Sequence, residues 1–315
     1  MKILLTGGCG FKGSVLVPKL LSQGHTIIVV DIMWFGSFLQ PHSNLQVIQA
    51  DIRNVQDSWF EKVDAVIHLA SVANDPCSEL EPKLSWEVGS LATMLLVDRA
   101  LKHGVKQFIY ASSGSVYGVS DVPQVTEDAL LNPITEYNKN KMVAERVLLS
   151  YADKMIVQIV RPATVCGFSP RMRLDVSVNM LTMQALTNGV ITVFGGDQVR
   201  PNIHIDDITD LYLFLLENKT PGTFNAGFEN LSIMEIANRV VTIVGAKIKV
   251  TESNDPRSYR INSDKLLQLG FKPQKCVKDA IQELVVHYQE GRLKDKDYFY
   301  NIRAMKAMLD KPVAA

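Results

Sequence analysis

Two short stretches hold side chains whose types and spacing could do chemistry. In Tyr137-Asn138-Lys139-Asn140-Lys141 a phenol and an ammonium stand at i and i+4, so on a helix they share one face. A free phenol near pKa ~10 is a poor base at neutral pH, and lowering it by ~3 units needs about 4 kcal/mol of differential stabilisation. Lys141 beside the Tyr137 hydroxyl could supply part of that. Alone, so short a pattern reads rather as a solvated helix face with a chance Tyr and Lys. The stretch Tyr110-Ala111-Ser112-Ser113-Gly114-Ser115-Val116-Tyr117-Gly118 decides the matter, because it closes an apolar segment with small hydroxyls. Ser113 can hydrogen-bond a substrate oxygen there and complete a proton path to Tyr137.

Such residues need a scaffold that gathers strand ends at one crevice, and the N-terminus begins it. The apolar run Lys2 to Thr6 breaks at Gly7-Gly8-Cys9-Gly10-Phe11-Lys12-Gly13, and an amphipathic segment follows that is closed by Gly24. This order predicts strand, tight turn and helix. Glycines suit a place where a pyrophosphate lies against backbone N–H groups at a helix N-terminus. A second strand, Thr26 to Val30, ends in Asp31, where a carboxylate about 20 residues beyond the glycines can hold a ribose 2′-OH. The same charge repels the 2′-phosphate of NADP, which favours NAD.

Further strands are expected at Leu45 to Gln49, Ala65 to Ala70, Gln107 to Ser112 and Met155 to Val160, with long helices at Trp86 to His103 and Thr135 to Tyr151. Alternation of this kind predicts an α/β fold: a Rossmann-type doubly wound parallel sheet with its crevice at the C-terminal strand ends. The NAD-binding domain is placed at residues 1–165, with a later contribution from about 199–220. Residues 166–315 read mainly as a smaller, mostly helical substrate lobe, and the tail from Lys294 carries no pattern.

Charge is balanced at 33 basic and 33 acidic residues, so neither nucleic acid nor an anionic membrane is indicated as a partner. No apolar run approaches the ~18 residues of a membrane span, and the N-terminal apolar run reads as a strand, not a signal peptide. Cys9, Cys77, Cys166 and Cys276 lack disulfide or metal spacing, which predicts free thiols in a cytoplasmic protein and no metal site.

With these residues assembled, the chain resembles the extended short-chain dehydrogenase/reductase family, the NAD-dependent nucleotide-sugar epimerases and dehydratases, over nearly its whole length. Thr6 to Gly13 is similar to the family's TGGxGFxG turn, Tyr137 and Lys141 to its YxxxK pair, and Leu269 to Pro273 to its late LGxxP. Arg200 to Asp207 is similar to its RxxxHxDD block, in which the arginine reaches a substrate phosphate. The resemblance implies catalysis by Ser113, Tyr137 and Lys141, with the last two also holding NAD. Gly7, Gly10, Phe11 and Lys12 would take the pyrophosphate, and Asp31, Ile32, Asp51 and Ile52 the adenosine half. Leu69, Ala70, Ser71, Pro162 and Val165 would line the rest of the cofactor. A nucleotide-diphosphate sugar would meet Ser113, Asn179, Arg200 and Arg257, and a homodimer would form through the two long helices.

Two departures narrow the reaction. The family's 4,6-dehydratases usually carry an acid just after the catalytic hydroxyl, where this chain has Gly114 and Ser115. Elimination without a positioned base loses ~10²- to 10⁴-fold in rate. What remains is reversible oxidation at sugar C4, with a 4-epimerase as the leading reading. A 4-dehydrogenase or reductase without epimerisation is the alternative, since Ser169 to Asp175 resembles a loop of enzymes acting on GDP-heptoses. A non-catalytic NAD-binding scaffold or redox sensor is the reading from another class. The second departure is Gly89, where many relatives have an asparagine that supports a water relay to the lysine. Arg171 and Arg173 read either as ligands of the nucleotide or sugar or as solvated residues, and His204 and Cys166 as structural.

Overall fold

The apolar segments of the first half become β1 (Lys2–Thr6), β2 (Thr26–Asp31), β3 (Leu45–Gln49), β4 (Ala65–His68), β5 (Gln107–Ala111) and β6 (Ile156–Pro162) in a computed structural model that describes residues 1–119, 122–253 and 258–309. After β7 (Thr164–Cys166), β8 (Val190–Phe194) and β9 (Val199–His204), the strand β10 (Gly222–Ala226) returns to the same sheet. The seven strands run parallel in the order β10-β6-β5-β4-β1-β2-β3. Strand order reverses between β1 and β4, and a crevice opens at such a switch point beyond the strands' C-terminal ends.

Helices cover both faces, as strands apolar on both sides require. On one face lie α1 (Gly13–Ser22) and, later in the chain, Ile205–Asn218, which bury Leu16, Leu20, Ile208, Leu211 and Leu215. The other face takes Ala92–Lys102 and Glu136–Leu149, through Leu96, Val97, Ala144 and Leu148. Between α1 and these come α2 (Asp75–Leu80) and α3 (Pro82–Trp86); the later pair are α4 and α5. The long helix expected from Trp86 to His103 is present and begins earlier, at Pro82: a π-turn at Glu87–Leu91 joins α3 to α4 without leaving helical backbone. Within the π-turn, a Cβ at Gly89 would stand 2.5 Å from Asn140 Oδ1 on α5, so the two helices come closest where residue 89 has no side chain.

The second half builds its own core from α6 (Ser177–Asn188), α8 (Ile233–Val244) and α10 (Val277–Gln289), which bury Val178, Leu181, Ile236, Val240 and Ile281 against β8, whereas α7 (Ile205–Asn218), the helix on the main sheet, and α9 (Asp264–Gln268) pack into the main core. With β11 (Glu229–Ser232) and β12 (Lys247–Thr251) it also carries two small sheets, β11-β9-β7 and β12-β8. The segment that completes the main sheet is β10, just beyond the expected 199–220 contribution, while β9 pairs outside it. The tail folds into α11 (Asn301–Leu309) and packs Met305 on Val72 and Cys77. Among the described residues no helix is long and apolar enough to cross a membrane.

Candidate active site

The glycine turn forms one end of a cleft of about 830 Å³ at the C-terminal edge of the sheet. Gly7 has φ +75°, and a Cβ there would lie 2.6 Å from the Ala70 amide, so only glycine lets the turn close on the end of β4. A Cβ at Gly10 would meet protein only at the Gly7 carbonyl, 3.3 Å away. Its open side is therefore a cradle that a side chain would fill. Phe11, Lys12, Asp31, Ile32, Asp51, Ile52, Leu69, Ala70, Ser71, Pro162 and Val165 line the same cleft. Asp31 accepts from the Cys9 amide (2.9 Å) and the Met33 amide (2.7 Å), which fixes its carboxylate at the tip of β2. Burial raises its pKa, against the pull of those two amides. Asp51 is gripped by Arg53 at 2.7 Å. A dinucleotide fits these residues: a side-chain-free turn at a helix N-terminus, a fixed carboxylate after β2, and an apolar floor.

Ser113 and Tyr137 reach the middle of the cleft from different elements. The capping bond from the Asn138 amide to Thr135 Oγ1 starts α5, and Tyr137, Lys141 and Glu145 follow at one-turn spacing. Glu145 anchors the stripe: it accepts from Arg161 Nη2 at 2.7 Å and from the Ser112 hydroxyl in a very short bond. Arg161 Nη1 then donates to the Tyr117 hydroxyl at 2.7 Å. This buried pair clamps the Ser112–Tyr117 loop against α5 and sets Ser113 opposite Tyr137. Ser113 Oγ lies 2.6 Å from Ser115 Oγ, which donates to Asn138 Oδ1 at 2.5 Å.

Electrostatics here differ from the expectation in one respect. Lys141 Nζ donates to the Ala111 carbonyl at 2.8 Å and lies 5.8 Å over the centre of the Tyr137 ring. Burial, with help from the charge on Lys12, brings Lys141 down to about 7. Tyr137 is pushed up to about 12, by burial first and by the Asp75 carboxylate next; Arg173 and the Ser113 hydroxyl pull it back. Asp75 and Arg173 thus belong to the site, although no motif marks them. Arg173 is held by Asp175 at 2.9 Å, and Asp75 accepts from the Thr135 hydroxyl. Below Lys141, His68 is buried and driven down to about 3 by burial and by the lysine's charge. It bridges Thr6 (2.6 Å) and Thr93 (2.9 Å), and Thr93 donates to the Gly89 carbonyl at 2.6 Å.

Other expected residues fall in different places. Arg200 lines the far end of the cleft and donates to the Val199 carbonyl. Asn179 is a correction: it is fully buried, with its amide spent on Gly167 (3.0 Å) and the Arg173 carbonyl (3.0 Å), so it shapes the 167–173 loop and offers nothing to a substrate. Arg257 lies outside the described residues. Arg171 is buried with its guanidinium 3.7 Å from the Phe35 ring centre, and burial lowers it to about 9, with Arg173 adding to the shift. His204 caps α7 by accepting from the Asp206 amide, and Cys166 packs in the core of the second half. Of the two carboxylates beside His204, Glu283 approaches its Nε2 at 3.2 Å, and Asp206 is paired with Lys19 and Lys275, each within 3.0 Å.

Comparison with known proteins agrees with this geometry. A family model described as the NAD dependent epimerase/dehydratase family matches residues 3–227. The chain is 28% identical to a UDP-glucose 4-epimerase of Lactobacillus helveticus, across 87% of this chain and 92% of that one. It is 29% identical to UDP-glucuronic acid decarboxylase 1 of Danio rerio, across 100% of this chain and 77% of that one. Among solved structures, a UDP-glucuronic acid 4-epimerase from Bacillus cereus, in complex with UDP-glucuronic acid and NAD, superposes with a TM-score of 0.81 at 26% identity, covering 92% of this chain and 99% of that one.

Proposed function

Because the chain belongs to the NAD dependent epimerase/dehydratase family, we propose that it modifies a nucleoside-diphosphate sugar by reversible oxidation at C4, ending in epimerisation. The observation that carries this reading is the meeting of Ser113 and Tyr137 in the same cleft as the Gly7–Gly10 turn. NAD, when bound, supplies the hydride acceptor and donor for that carbon. Gly7, Gly10, Phe11 and Lys12 would hold its pyrophosphate and Asp31 its ribose, with Leu69, Ala70, Ser71, Pro162 and Val165 along its length.

The chain's own part is binding and proton transfer. Ser113 orients the sugar hydroxyl, and Tyr137 takes its proton and later returns it. Arg173 favours the phenolate that the first step needs, while Lys141, seated under the ring, holds the end of β5. Arg200 would face the diphosphate, to which a guanidinium is suited. Neither Gly114 nor Ser115 offers a carboxylate to remove a C5 proton, which weighs against dehydration. We place the protein in the cytoplasm on its four free thiols, and read it as a homodimer because Leu91, which ends the π-turn, and Met94 on α4 expose apolar side chains; sedimentation would test the dimer.

The test is incubation of the purified protein and NAD with UDP-, GDP-, dTDP- and CDP-sugars, followed by mass spectrometry and NMR. Inverted C4 at unchanged mass is expected. Loss of two hydrogens would instead mark a 4-dehydrogenase, loss of carbon dioxide a decarboxylase, and loss of water would sink the reading of Gly114. Tyr137→Phe should still bind NAD and lose ~10²- to 10⁴-fold in turnover. A turnover-dead result for wild type against all sugars would favour the scaffold.

A further inference from the structure

The loop before α6 places one arginine at the β2 end of the cleft. Arg171 is 1% exposed, yet it lines the cleft together with Asp31 and Phe35, which stand at the tip of β2 and just after it. Its guanidinium carbon lies 3.7 Å from the centre of the Phe35 ring, so the ring takes a face of the group and leaves the edge for hydrogen bonds. Nη1 donates to the Met172 carbonyl at 3.0 Å, and Nη2 donates to Asn301 Oδ1 at 2.6 Å. The Nε–H is buried and has no acceptor among the described residues.

A buried donor without an acceptor in the protein is costly, and a ligand that brings an acceptor removes that cost. The surrounding charges indicate which ligand. Burial lowers the Arg171 pKa, the charge on Arg173 adds to this, and the carboxylates of Asp175 and Asp31 pull it back. Asp175 is already engaged by Arg173 at 2.9 Å, by Asn74 at 2.8 Å and by the Asn301 amide at 3.2 Å. Asp31 is the carboxylate suited to a ribose after β2. A ribose held there brings its own hydroxyls and the phosphate it carries, and a guanidinium is suited to both kinds of oxygen.

We infer that Arg171 is a cofactor-binding residue: its Nε–H donates to a ribose or phosphate oxygen in the adenosine half of NAD, with Phe35 as the platform under the guanidinium. This rests on the placing of NAD in the cleft. Arg171 comes from the second half of the chain and is tied to the tail through Asn301. The substrate lobe and the tail thereby close on the cofactor, not on the sugar alone.

The test titrates the full chain by calorimetry with NAD, AMP, nicotinamide mononucleotide, UDP, GDP, dTDP and CDP. Wild type is expected to bind NAD, and AMP more weakly. Arg171→Lys keeps the charge and removes the Nε–H. It should weaken NAD and AMP about tenfold, the scale of one hydrogen bond, and leave the other probes unchanged. If Arg171→Lys does not fold, wild type carrying heavy-nitrogen-labelled arginine decides the matter by NMR. The Nε–H resonance identified by its contact with the Phe35 ring should shift, and exchange more slowly with water, as AMP saturates the site. Undiminished NAD and AMP affinity in folded Arg171→Lys, or a resonance that AMP leaves unmoved, would overturn the role of Arg171 alone. A loss confined to UDP, GDP, dTDP or CDP would overturn it in favour of the sugar nucleotide. No NAD binding by wild type would overturn it together with the placing of the cofactor.

Discussion

Tyr137 is set between opposed charges, and the balance decides how readily it becomes a base. Burial and Asp75 hold the phenol in its protonated form, whereas Arg173 and Ser113 work the other way. Asp75 accepts from the Thr135 hydroxyl at the start of α5. Replacing it by Asn takes away a negative charge that opposes the phenolate. The Tyr137 pKa then falls, and the rise of rate with pH begins at lower pH, by about one unit. The pH profile of kcat for Asp75→Asn measures this shift. A limb that stays in place would mean that Asp75 serves only to hold Thr135 at the start of α5. The prediction separates charge from cap, since losing the cap bond would lower thermal stability without moving the profile.

At the level of elements, the legible features were those written locally. The glycine turn, the strand-end Asp31 and the pair Tyr137/Lys141 each depend on residues a few positions apart, so periodicity and spacing reveal them. The close approach at Gly89 was not legible, because the residue it meets stands on another helix. Asn140 Oδ1 occupies the volume where a side chain at 89 would begin, and it is buried without a hydrogen-bond partner among the described residues. Asp75 and the Arg161–Glu145 clamp were missed for the same reason: each acts across a tertiary contact. The Gly89–Asn140 fit can be tested directly. Gly89→Ala should cost about 1–3 kcal/mol by overpacking, read as a lower denaturation midpoint. Adding Asn140→Ser, which shortens the opposing side chain, should restore most of it. Simple additivity of the two changes would show that they do not share this space.

Across the whole molecule, the tail joins the two halves at the cleft. Asn301, at the start of α11, accepts from Arg171 Nη2 at 2.6 Å and gives its backbone amide to Asp175 at 3.2 Å. Asp175 also accepts from Asn74 at 2.8 Å and from Arg173 at 2.9 Å, and the Leu174 amide donates to the Phe299 carbonyl at 2.9 Å. One small network thus ties the loop after β4, the loop before α6 and the tail around the ring of Phe35 and the two arginines. A buried guanidinium that loses an acceptor costs ~1–3 kcal/mol, because water cannot replace the bond. Asn301→Ala leaves every residue of the glycine turn and of the Ser113–Tyr137 pair in place. It should nonetheless lower the melting temperature by a few degrees, on the scale of ~2–4 °C per kcal/mol for a chain of this size. If the network also sets the shape of the cleft, NAD binding should weaken about tenfold in the same variant, which calorimetric titration would measure. Lowered stability with unchanged NAD affinity would confine the tail to packing. A loss of affinity would make α11 a working wall of the site, built from the stretch of chain that offered no sequence pattern at all.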